Sequence, residues 1–87
     1  MTVKFRIDFV LNQNETCLVL AECQEAGARF AISDSSHLGG VRLQRYLDMP
    51  RKPNPDGTLD MNAFIFKLAD HRDAVKLHIG QIVDLEP

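Results

Sequence analysis

His71 and His78, with Asp70 and Asp73 beside them, gather imidazole and carboxylate groups in the stretch LADHRDAVKLHIGQ, residues 68–81. A metal needs three or four such ligands converging from fixed positions. The HExxH spacing is absent, and the segment is too short for two stable helical turns. The plainer reading is a helical turn with Asp70 as its N-cap and Gly80 as its stop, the histidines being solvated. His71 with Asp73 also lacks a neighbouring nucleophile for acid–base work.

Asp34, Ser35, Ser36 and His37 contain the letters of a hydrolase triad. Contiguous residues of one loop seldom place a base between a nucleophile and an orienting acid, and neither serine sits in a GxSxG elbow. A polar loop with local side-chain-to-backbone bonds is expected instead. Gly39-Gly40 belongs to neither a GxxxxGK[ST] nor a GxGxxG phosphate cradle, so these glycines are assigned to a turn or bulge. No pair of carboxylates stands out as a catalytic dyad. An enzyme is not expected, and no cofactor is implied.

The better functional candidate is the group Arg42, Arg45, Tyr46, Arg51 and Lys52. Arginines beside an aromatic side chain and a proline-rich arm can grip RNA phosphates and stack on a base. The same residue types anchor protein interfaces. Residues 28–56 carry a charge of +2, whereas 1–27 and 57–87 each carry −2. The chain as a whole is at −2, which argues against holding nucleic acid by bulk charge alone.

The elements that must position these residues read mainly as strands. Val3, Phe5, Ile7, Phe9 and Leu11 alternate with polar positions and are expected on one inward face. Residues 12–14, NQN, supply a turn. ETCLVLAEC is a second strand, apolar on both faces through Leu18, Val19 and Leu20. A turn around Gly27 leads to a short third strand, RFAIS, with Phe30 and Ile32 inward, and then a polar loop over 34–40. VRLQRYLD suits either a strand or one helical face; Gly39-Gly40 before it and Pro50 after it favour the strand. Pro50, Pro53 and Pro55 with the NPDG turn, 54–57, put the next segment at an edge or in a projecting arm. MNAFIFKLA and QIVDL complete the set, with the helical turn near 70–77 between them.

An 87-residue chain, 45% hydrophobic and 25% charged, has room for one core and one domain. Six short strands with regularly spaced turns predict a small antiparallel β-barrel spanning 1–87, with a sandwich as the structural alternative. No apolar run approaches the roughly 18 residues of a membrane span. MTVKFRIDF has no apolar leader with a cleavage pattern, so a cytoplasmic location is expected. Cys17 and Cys23 lie six apart on one strand face, about 20 Å from each other at ~3.3 Å per residue, and cannot bridge. Two free, buried thiols fit that compartment.

The tail MNAFIFKLADHRDAVKLHIGQIVDLEP is similar to the end of the second, β-barrel domain of elongation factor Tu-type translational GTPases. Asp73-Ala74-Val75 resembles that family's acidic-then-aliphatic step, and Gly80-Gln81-Ile82-Val83 its glycine-led last strand. FRIDFVL at 5–11 looks like its opening strand, and GGVRLQRYLD like its mid-domain strand. The chain lacks the family's glycine-rich second strand, and Ser33-Asp34 stands where a Gly-Asp turn is usual. No GTPase domain is present, so nucleotide binding does not carry over, and no functional residue of the family is transferred. The resemblance implies a stand-alone barrel that contacts RNA or a ribonucleoprotein, or a protein partner. An assembly module that pairs through an exposed strand edge is the alternative.

Overall fold

Alternation of apolar and polar residues folds Val3–Gln13 (β1) and Thr16–Cys23 (β2) into a hairpin. Asn14 and Glu15 join them with φ of 53° and 61°, the paired left-handed conformation that a two-residue hairpin turn needs. The turn thus sits slightly beyond the expected NQN, leaving Asn12 and Gln13 in the strand. His37–Leu38 (β3), Val41–Asp48 (β4), Ala63–Leu68 (β5) and Ile82–Glu86 (β6) follow. This computed structural model describes residues 2–25 and 27–87. The expected turn around Gly27 includes Ala26, which lies outside the described residues; beside it, Ala28 N–H donates to the Glu25 carbonyl at 3.2 Å.

The strands close into an antiparallel barrel in the order β1-β2-β5-β4-β3-β6, with β6 returning to β1. Phe5, Ile7, Val19, Leu38, Leu43, Phe66, Leu68 and Leu85 fill its interior. Phe5 is the hub of an aromatic cluster, meeting Phe30 at 5.3 Å and Phe66 at 5.2 Å edge-on, the geometry the ring quadrupoles favour. The 3-10 helix His71–Lys76 packs against β1, β2 and β5 and contributes buried Ala74, with Leu77 following it into the core.

Three expectations are corrected. Residues 29–33 form no strand. Phe30 and Ile32 do pack on the core, but the backbone there bonds to the following loop, Ser33 N–H donating to Ser36 Oγ at 2.9 Å. The sixth strand comes instead from β3, inside the segment read as a polar loop. Gly80 does not end the helix: Leu77 is the C-cap, and the Gly80 N–H donates to the Ile7 carbonyl at 2.6 Å in the turn before β6. Finally, Phe9 and Leu11 do not continue the inward face of Val3, Phe5 and Ile7.

The last correction has a specific cause. Ile7 pairs with Ala21 but Phe9 pairs with Leu20, so Asp8 is an extra, unpaired residue in β1. Such a bulge shifts the side-chain phase by one position. Val10 then packs on the core, while Phe9 is 50% and Leu11 43% exposed.

Candidate functional site

The phase shift builds an apolar face on the outside of the barrel. Residues paired across strands share a face. Phe9 lies opposite Leu20, and Leu20 opposite Ile65; one step along, Leu11 lies opposite Leu18, and Leu18 opposite Lys67. Pro50 arrives from the segment after β4 to form one wall. Phe9, Leu11, Leu18, Leu20, Pro50 and Ile65 together line an open groove of about 180 Å³. A barrel buries its apolar residues inward, so this many on the outer surface of one sheet region is a feature that folding alone does not require.

One end of the groove is charged. Arg6 Nε–H donates to Asp8 Oδ1 at 2.7 Å, and Lys52 Nζ lies 3.9 Å from Asp8 and 3.6 Å from Glu22 Oε2. That Glu22 oxygen is buried and accepts no hydrogen bond. Burial, then the neighbouring Asp60 carboxyl, pushes the Glu22 carboxyl above the ordinary glutamate range, with Lys52 opposing. The arm that brings Lys52 and Asp60 there is a hairpin closed by backbone hydrogen bonds. Asp60 N–H donates to the Lys52 carbonyl at 2.7 Å, Pro53 bridges Leu59, and Asn54 N–H donates to the Thr58 carbonyl at 2.7 Å. At its tip, Asp56 accepts from the Thr58 hydroxyl at 2.6 Å and from its N–H at 3.0 Å, which holds its carboxyl below the usual range.

No family model, curated protein or solved structure matches the chain.

Of the basic residues singled out by sequence, Lys52 lies beside the carboxylates of Asp8 and Glu22. Arg42, Arg45 and Tyr46 are exposed on β4, and Arg51 is exposed in the segment after it. Arg42 Nε–H donates to the Asp34 carbonyl at 3.1 Å. Arg45, Tyr46 and Arg51 make no side-chain hydrogen bond or ion pair among the described residues.

The remaining polar candidates have local work. The Ser36 hydroxyl is fully buried and accepts from Ser33 N–H, while His37 Nδ1 lies 2.9 Å from the Ser35 carbonyl. Asp70 caps the 3-10 helix, accepting from Arg72 N–H at 2.9 Å and from the Arg72 guanidinium at 2.7 Å. His71 and His78 enter through their backbones: the His71 carbonyl accepts from Asn12, and His78 N–H donates to Gln81. Cys17 and Cys23 are both buried and unbridged, and burial pushes the Cys17 thiol up. Among the described residues, no helix is long and apolar enough to cross a membrane.

Sequence reasoning passed over the outer face because it assigned Phe9 and Leu11 to the core. A signal was present: Phe9-Val10-Leu11 and Leu18-Val19-Leu20 are each three apolar residues in a row, in strands that otherwise alternate. A strand with one solvated face does not need them.

Proposed function

We propose that this barrel is a non-catalytic binding module that takes up a protein partner on the outer face of β1, β2 and β5. The observation that carries the reading is the bulge at Asp8, which sets Phe9 and Leu11 outside, beside Leu18, Leu20 and Ile65. Apolar groups held out of a complete core gain by being covered. The charged cluster at one end gives such a face an orientation, because charges at a rim select partner and register. A photo-crosslinking residue at Leu11, compared with one at Gln44 on β4, tests the assignment in cells. Adducts are expected from Leu11 and not from Gln44. Equal yields from the two positions, or none from Leu11, would contradict it.

A second reading is contact with RNA or a ribonucleoprotein through Arg42, Arg45, Tyr46 and Arg51. Its support is that Arg45, Tyr46 and Arg51 have no internal partner among the described residues, together with the resemblance of 60–87 to the translation-factor barrel. Fluorescence anisotropy with an RNA oligomer, titrated across salt, examines it. Binding should weaken with salt and on Arg42→Ala with Arg45→Ala. Salt-independent or unchanged binding removes this reading.

A further inference from the structure

We infer that the hairpin arm of residues 50–60 is a proton-sensitive latch, closed on the barrel while Glu22 and Asp60 share one proton and released when both carboxyls are ionised. The latch is a property of the arm and does not depend on what the outer face binds.

The arm is a unit with few ties to the barrel. Its backbone hydrogen bonds join Lys52 to Asp60 and Asn54 to Thr58, and its side-chain bonds, Asn54 to Thr58 at 3.1 Å and Thr58 to Asp56 at 2.6 Å, are internal as well. None of residues 50–60 is fully buried, and only Pro50, Asn54 and Asp60 are half-buried. The chain is anchored again at Asn62, whose carbonyl accepts from Cys23 N–H at 2.7 Å. Asn62 N–H in turn donates to Asp60 Oδ1 at 2.9 Å, which keeps Asp60 at the Glu22 end of β2. Among the described residues, the polar contacts from the arm to the strands are those of Lys52 and Asp60.

Charge counting gives the direction. Closure gathers three carboxyls, Asp8 and Glu22 on the barrel and Asp60 on the arm, with two cations, Arg6 and Lys52. The residue of β5 opposite Glu22 is Ala63, which brings no charge. Arg6 is committed to Asp8 at 2.7 Å, and Lys52 is divided between Asp8 and Glu22. With one proton kept by the Glu22–Asp60 pair the cluster is neutral; without it, a net negative charge is left around a carboxyl whose Oε2 is buried. Two carboxyls set side by side resist ionising together, and burial adds to that cost. Release parts them and returns both to water. The closed arm therefore binds the proton more tightly than the open arm, so falling pH favours closure and rising pH favours release. Pro50 is one wall of the outer groove and travels with the arm, so release also removes that wall.

Nitrogen-15 relaxation on the full chain, from about pH 4 to about pH 8, reads the latch. Order parameters of the arm amides should fall from the ~0.85 of rigid backbone at the acid end to below about 0.6 at the alkaline end, while Cys23 and Phe64 stay rigid. Glu22→Gln and Asp60→Asn each keep an oxygen acceptor and remove one ionisation, leaving the cluster neutral without the proton. In either variant, shown folded by its amide spectrum, the arm should stay rigid across the range. Lys52→Met removes a cation and should release the arm at a lower pH than in the wild type. A wild-type arm equally rigid at both ends, or one that loosens in both amide variants as it does in the wild type, overturns the latch. So does loosening toward acid, which would show that the Lys52 ion pairs alone hold the arm.

Discussion

At the scale of single residues, Ser36 shows how a buried polar group can hold a loop. Its hydroxyl accepts from Ser33 N–H, and its carbonyl accepts from Leu43 N–H at 2.9 Å, tying the loop to β4. Ser36→Ala leaves the Ser33 N–H without an acceptor and should cost about 1–3 kcal/mol in urea unfolding; an unchanged midpoint would count against the assignment. Glu22 gives a pH signature. Its folded-state pKa is raised, so its contribution to stability is largest below the ordinary glutamate value and is lost as pH rises through the folded value. Glu22→Gln removes that dependence, so its melting temperature relative to wild type should climb between pH 4 and pH 8. A difference that stays constant with pH would show that Glu22 titrates normally. Asp70 runs the opposite way. Hydrogen bonds from Arg72 hold its carboxyl far below the ordinary range, so its stabilisation is present above the usual aspartate value and fades as pH falls. Asp70→Ala should therefore lower the melting temperature at pH 7, with the gap narrowing in acid; a gap that widens would refute the cap.

At the scale of elements, most of the strands were legible from apolar runs bounded by turn signals. β1, β2, β4, β5 and β6 each overlap a segment read as a strand, with β1 running on to Gln13 and β6 to Glu86, and the 3-10 helix overlaps the expected helical turn. Two kinds of feature were not legible. Residues 29–33 have the composition of a strand, but Phe30 is satisfied by ring contacts with Phe5 and Phe64 while its backbone joins no ladder. Burial and strand pairing are separate requirements, and alternation reports only the first. The bulge at Asp8 was hidden because Phe9 and Leu11 keep the odd-numbered phase of Val3, Phe5 and Ile7 in the letters, and only Val10 breaks the pattern. With it went the outer face, since Phe9 and Leu11 look like core residues until the register with β2 is known. Arg51 and Lys52 are adjacent in sequence, yet the hairpin arm carries Lys52 to Asp8 and Glu22. Gly39 illustrates a close approach in the β3–β4 turn: at φ of 59°, an added Cβ would lie 2.9 Å from Val83 Cγ1.

At the scale of the whole molecule, the barrel divides its apolar residues between two tasks. The inner set closes a complete core around Phe5 and Phe66. The outer set on β1, β2 and β5 lies across the sheet from that core, with Phe9 and Leu11 about half exposed. The central claim is that Phe9 and Leu11 serve contact rather than stability, and urea unfolding of Phe9→Ser with Leu11→Ser tests it most directly. The account predicts a loss of about 2 kcal/mol for the two half-exposed side chains together, against the 3–5 kcal/mol expected for Phe66→Ala alone in the core. A loss from the double variant as large as that of Phe66→Ala would place both side chains in the core and contradict the outer docking face.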